Sequence, residues 1–293
     1  MNLLITLLLA PLLIGLVNKT KAFFAGRKGA SVFQLYYDLL KLLKKSTVRS
    51  SSSTWVFDLA PIISLTAIIA ASVMLPIGGM KPFVWFTGDA IVFFYLLGVA
   101  RFFTVLSARD VASAFPDMGS AREVQFSAIV EAIVFACLAF LALMTGSSSL
   151  SGMLTAEWCE ELAAAVPLLL AAGAWGIVLL SENCRVPFDD PETHLELTMI
   201  HEAMILDNSG PDLAFIFYGA ALKLWLFAAF LVELILPSSV HCVWHFLAIL
   251  ACGPLIGAIE SSMARMRFKR TPYILGGAAA MAVLALVMEI MTK

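Results

Sequence analysis

Eight carboxylates fall in the stretch from Glu182 to Asp212: Glu182, Asp189, Asp190, Glu192, Glu196, Glu202, Asp207 and Asp212. One arginine, Arg185, sits among them. The stretch joins two long apolar segments, and a connecting loop in an oily chain rarely needs so many acids. Carboxylates gathered this way offer electrostatic and proton chemistry, because their protonation responds to one another and to a nearby cation. Asp190-Pro191 is a helix-start signal, with Asp at the N-cap and Pro at the first helical position. It predicts a short helix reaching about Leu206, with Glu192 and Glu196 on one face. Acids early in a helix also simply favour its dipole. His194 and His201 are seven residues apart and share a face. Histidine titrates near neutrality, so a proton or docking role fits both.

A second set of ionisable residues lies inside apolar segments, where a charge needs a partner, a watery cavity or a function. These are Glu131, Lys223, Glu233, Glu260 and Glu289. Glu260 and Glu289 fall near segment ends, where long side chains reach water. Glu131 and Lys223 read as deeper, and burial moves such groups toward a range useful for proton relay. Static internal ion pairs are the rival reading. Arg122 and Glu123 open the segment that holds Glu131, about two turns further on. Carboxylates stepped along a helix can pass protons, or can cap and anchor it.

Other chemistries find no support. The cysteines Cys137, Cys159, Cys184, Cys242 and Cys252 form no Cys-x-x-Cys pair, so an iron–sulfur or zinc site within the chain is not expected. His241 and His245 have ligand spacing but no third ligand. No nucleophile elbow, phosphate loop or nucleic-acid patch is present. A membrane redox protein of this kind would borrow its redox centres from partners.

The elements that position these residues follow from composition. Of 293 residues, 61% are hydrophobic and only 14% charged, against roughly a quarter charged in soluble domains. Spans of about 20 apolar residues are predicted at 2–17, 57–77, 88–107, 124–145, 161–181, 212–236, 242–260 and 272–290. The first could be a signal peptide, but no small-residue cleavage site follows it. The expected fold is all-α: a polytopic membrane protein of about eight transmembrane helices forming a single domain over 1–293. Nearly all Lys and Arg fall in or beside the connections 18–56, 108–123, 182–211 and 261–271. The positive-inside rule makes these cytoplasmic and places both termini on the opposite side. Residues 31–45 form an amphipathic helix, with Gln34, Asp38, Lys41 and Lys45 in one polar stripe. It is too short to span and is expected along the cytoplasmic interface.

Taken together, Glu182-x-x-Arg185-x-Pro187-Phe188-Asp189, Glu192, Glu196 and Ser209-Gly210 resemble the respiratory complex I subunit 1 family. So do the Arg27/Gly29 segment, the helix with Asp38 and Lys41, the stretch Gly119-Ser120-Ala121-Arg122-Glu123 with Glu131, and Ser262 to Arg267. His194 stands where complex I members carry a glutamate, and Asp207-Asn208 precedes Ser209-Gly210 where they carry Glu-Tyr. With the longer segment Glu196 to Met204, this is similar to the membrane-bound [NiFe]-hydrogenase branch of formate hydrogenlyase subunit 4 and hydrogenase-4 component C. The resemblance implies a membrane foot for a hydrophilic redox arm, coupling electron transfer to proton or sodium movement. It implies an iron–sulfur subunit and a hydrogenase-like large subunit on the cytoplasmic side, and antiporter-like subunits in the membrane. Iron–sulfur clusters and a [NiFe] site would belong to those partners, with no cofactor in this chain. Proton coupling would rest on Glu131, Glu182, Asp189, Glu192, Glu196, Arg185, Glu123 and Lys223. Arg27, Asp38, Lys41, Arg122, His194 and His201 would serve docking or line a cavity. The alternatives are a quinone-site subunit of an NADH:quinone-type dehydrogenase and a passive membrane anchor.

Overall fold

The computed structural model describes residues 2–154, 162–190 and 200–292. Among the described residues, eight helices are long and apolar enough to cross a membrane. In chain order the helices are α1 (Asn2–Phe24), α2 (Gln34–Leu43), α3 (Trp55–Met74), α4 (Asp89–Asp110), α5 (Ala114–Thr145) and α6 (Leu150–Leu154). There follow α7 (Leu162–Glu182), α8 (His201–Met204), α9 (Gly210–Ile235), α10 (Cys242–Ser262) and α11 (Thr271–Thr292). The short helices α2, α6 and α8 lie between the spans. The chain is an all-α, multi-pass membrane protein, as expected.

The bundle is built around α9, which packs against α1, α2, α3, α7 and α10. Trp225, Leu222, Ala221, Ala228 and Ala229 on α9 have no exposed surface. Its small residues let neighbours approach closely, as helices in lipid require. Trp175 of α7 stacks on Phe230 at 4.1 Å and on Phe227 at 5.4 Å. Its indole donates to the Phe227 carbonyl at 3.1 Å. This aromatic block fills the middle of the bundle.

Several expectations need correction. α5 begins at Ala114 rather than near residue 124, so the connection expected at 108–123 is mostly helix. Its 32 residues make a rod of about 48 Å, against about 30 Å of hydrocarbon. The first span also runs on to Phe24 and takes Lys19 and Lys21 into the helix.

The amphipathic helix α2 is not simply laid on the surface. Its approach is wedged against the middle of α1, where a Cβ on Gly15 would lie 1.9 Å from the Val32 carbonyl. Pro11 explains how the neighbours grip α1 here. Proline has no N–H, so the Leu7 carbonyl one turn earlier loses its helical donor. The Tyr218 hydroxyl of α9 donates to it at 2.9 Å, and the Tyr36 hydroxyl of α2 donates to the next carbonyl, Leu8.

The helix expected from Asp190 falls mainly on 191–199, outside the described residues, together with Glu192, His194 and Glu196. Beyond it only His201–Met204 is helical, short of Leu206.

Candidate functional site

The site begins where α7 ends. Arg185 N–H reaches back to the Leu180 carbonyl at 2.9 Å, closing the helix over Cys184, whose φ is 49°. A left-handed backbone at a residue other than glycine costs about 1–2 kcal/mol, and such costs concentrate at functional sites. This turn sends Glu182 into the bundle and Arg185 toward α10.

Glu182 is the hub. Arg101 Nη1 lies 2.6 Å from one carboxylate oxygen and Lys223 Nζ 2.8 Å from the other. Lys223 also donates to the Glu182 carbonyl at 2.6 Å. Arg101 Nη2 pairs in turn with Glu131. The result is a row of alternating charge, Glu131–Arg101–Glu182–Lys223, drawn from α5, α4, α7 and α9. Glu123, 8% exposed, stands beside it with the Cys184 thiol 3.8 Å from its carboxylate. Among the described residues Glu123 makes no salt bridge.

Two cavities meet at this row. The larger, about 290 Å³, has apolar walls from Ile14, Leu35, Leu65, Ile68 and Phe217, and a polar end at Arg101, Glu123, Glu182, Lys223 and His201. The smaller, about 50 Å³, lies between Tyr95, Phe135 and Glu131 and is also lined by Arg101 and Glu182. Arg101 and Glu182, together with Leu97, therefore line both.

Asp189 is 1% exposed and accepts the Ile200 N–H at 3.0 Å. That bond ties the start of the acidic segment to its end. Ile200 presses on α5, where a Cβ at Gly119 would lie 2.9 Å from its carbonyl. Met266 N–H donates to the Pro187 carbonyl at 3.1 Å, bringing in the last connection. Ser209-Gly210 serves backbone contact too. Ser209 Oγ bonds both Val48 N and Val48 O, and Gly210, at φ 57°, would put a Cβ 2.8 Å from the Ser46 carbonyl.

The structure sorts the expected residues. Glu182, Lys223 and Glu123 come together as one cluster, with His201 on the same cavity wall. Glu131 is not deep: 55% of its side chain is exposed, on the bundle's outer face. Arg185 pairs with Glu260 of α10 at 3.5 Å, and Lys21 reaches the same carboxylate at 3.1 Å. Glu260, expected to reach water from a span end, is thus a buried counter-ion. Lys41 and Arg27 are exposed away from this cluster. Asp38 accepts from Gln34 at 3.0 Å within α2. The Arg122 guanidinium lies over the Phe268 ring, 5.1 Å from its centre.

Sequence reading missed Arg101 as a site residue, although an arginine within an apolar segment carries the same signal as Glu131 and Lys223. It also missed Cys184, whose thiol is pushed well above its usual value by burial and then by the nearby Glu123 and Asp189. It did not join Glu233 to His245, a fully buried pair at 2.8 Å toward the other end of α9. No cluster of metal-ligating side chains occurs among the described residues.

Fold and site define a class: an integral membrane subunit with a buried charged row at the foot of a cavity that opens between helices. A family model described as NADH dehydrogenase matches residues 1–292. The chain belongs to that family, the one named in complex I for its subunit 1. Formate hydrogenlyase subunit 4 of Escherichia coli (strain K12) is 30% identical over 289 residues, covering 95% of this chain and 93% of that one. Hydrogenase-4 component C of the same strain is 32% identical over 279 residues, covering 90% and 86%. In three dimensions the chain is similar to one in the membrane-bound sulfane sulfur reductase, an archaeal respiratory membrane complex. The TM-score is 0.84 at 18% identity, over 98% of this chain and 96% of that one.

Proposed function

We propose that this chain is a membrane subunit, without a redox centre of its own, of a multi-subunit complex I-like, hydrogenase-type oxidoreductase. It docks a hydrophilic redox arm on the face bearing the acidic segment and couples electron transfer there to movement of protons or sodium. The excess of Lys and Arg makes that face cytoplasmic, with both termini opposite. The docking partners are an iron–sulfur subunit and a hydrogenase-like large subunit, which carry the iron–sulfur clusters and the [NiFe] site. Antiporter-like subunits lie beside it in the membrane.

One observation carries this reading. Arg101 and Glu182 line both cavities, so a charge change at the acidic segment reaches the outward-facing Glu131 through two side chains. Asp189, Arg185 and Glu182 lie within eight residues of one another, so a movement of the docked arm would act on the row directly. Glu192 and Glu196 belong to the same acidic segment of the sequence. The cavity, with its apolar walls and polar end, favours the second reading, a quinone-site subunit.

Affinity purification through a tag on this chain, with identification of co-purifying subunits and metals, tests the assignment. A nickel-bearing large subunit with antiporter-like partners supports it. A nickel-free assembly whose turnover requires quinone selects the second reading. Glu131→Gln tests coupling: ion movement per electron should fall while the complex still assembles. Unchanged ion movement would leave the chain a passive anchor.

A further inference from the structure

The outward side of α2 takes no part in the charged row. Phe33, at its N-cap, and Tyr37 and Leu40 recur at i, i+4 and i+7, and each is more than half exposed. They form one apolar face. The other side of the helix faces the bundle, where Leu35 lines the larger cavity. Lys41, Lys44 and Lys45, at i, i+3 and i+4, stand together beside the outward apolar face and are exposed; such spacing brings side chains to one side.

Two close approaches set the depth of this helix in the membrane. The apolar run of α1 ends at Asn18-Lys19. Val32, just before α2, meets Gly15, three residues and so about 4–5 Å inside that limit. Ser46, just after α2, meets Gly210, the first residue of α9, whose apolar run starts only beyond Asp212. The helix thus slants across the interface. Its Phe33 end lies at the level of acyl chains, and its lysine end at the level of headgroups, the depth at which amphipathic helices bind lipid.

The lysines are not answered from within the chain. Between Asn18 and Arg49 there are eight cations and one acid, Asp38, which accepts from Gln34. Asp58 is held by Arg49, and Glu260 by Lys21 and Arg185. Among the described residues no carboxylate lies within salt-bridge distance of Lys41, Lys44 or Lys45. One cation would complement the dipole at this helix end; three together make an anion site.

We propose that α2 is a binding site for an anionic phospholipid, with acyl chains on Phe33, Tyr37 and Leu40 and the headgroup phosphate held by Lys41, Lys44 and Lys45. Basic clusters beside a membrane helix recognise anionic headgroups in this way. The proposal goes beyond the coupling function and stands or falls separately from it. Leu35 places the bound lipid one helix away from the larger cavity.

The test titrates the purified full-length chain, in neutral detergent, with short-chain phosphatidylglycerol or phosphatidylcholine, and counts bound lipid by native mass spectrometry. Phosphatidylglycerol should bind more tightly, and added salt should weaken it alone. Lys41→Gln, Lys44→Gln and Lys45→Gln should each weaken it about fivefold, and together roughly a hundredfold, leaving phosphatidylcholine unchanged. Leu40→Ser should weaken both lipids alike, by roughly tenfold. Equal affinity for the two lipids overturns the proposal, as does an undiminished preference in the single lysine variants, which decide the matter if the triple variant does not fold. Displacement of phosphatidylglycerol by millimolar inorganic phosphate would make this a free-anion site and overturn it. So would a triple variant that keeps its lipid preference and instead loses co-purifying subunits, since the lysines would then face a protein.

Discussion

Two buried carboxylates on this bundle live differently. Glu182 meets two cations, Arg101 and Lys223, and lines both cavities. Glu233 is 1% exposed, accepts the Gly78 N–H at 2.8 Å and lies 2.8 Å from Nδ1 of a fully buried His245. It lines neither cavity. The aromatic block of Trp175, Phe227 and Phe230 lies between them along α9. The contrast teaches that burial alone does not mark a working charge. Glu182 has access to a cavity and partners on two other helices. Glu233 lines no cavity among those described, and it fastens the loop at Gly78 to α9 and α10.

The sharpest way to break the contrast is Glu182→Ala. It strands two cations in the bundle, and removing one partner of a buried pair costs about 3–5 kcal/mol. Both thermal stability of the purified complex and coupled ion movement should collapse. Glu182→Gln, which keeps the shape, should recover stability in part but not coupling. Glu233→Ala should separate the two properties. An unpaired buried group costs about 1–3 kcal/mol, so the melting temperature should fall while ion movement per electron in the surviving complex stays at its normal value. A coupling defect there would erase the distinction between the regions.

Gly210→Ala should act on stability alone by about 1–2 kcal/mol, because its positive φ and the nearby Ser46 carbonyl leave no room. It would be read as a lower melting temperature with normal coupling. Near neutral pH the smallest effect belongs to His201. Its folded value of about 4 lies below the ordinary value near 6.5, so between these pH values the unfolded chain binds more protons than the folded one. Stability should therefore be fully present above about pH 6.5 and decline on acidification toward about pH 4. Melting curves of His201→Gln should lose part of that slope.

The spans were legible because lipid demands about 20 apolar residues in a row, a signal that needs no tertiary information. The start of α5 was not. Pro116 and Gly119-Ser120 read as loop, yet proline is tolerated in a helix's first turn, and Gly119 is there to admit Ile200. Single site residues were legible as costly charges, but their pairings were not. Arg101 finds Glu182 across 81 positions and Arg185 finds Glu260 across 75, and no local periodicity carries such distances. Nor could the sequence tell that Glu131 faces outward, because the lipid-facing, partner-facing and core-facing sides of a membrane helix are all apolar. The acidic helix around Glu192, His194 and Glu196 lies outside the described residues, so that expectation rests on the Asp190-Pro191 signal.

The length of α5 has a mechanical consequence. Roughly 18 Å of this helix exceeds the hydrocarbon thickness, and Gly119, Glu123 and Glu131 follow one another along the same unbroken rod. A push on its protruding end needs no intervening hinge to arrive at the membrane's interior. Ile200 packs on its N-terminal turns at Gly119, and Glu131, three turns further along the same helix, stands on the bundle's outer face.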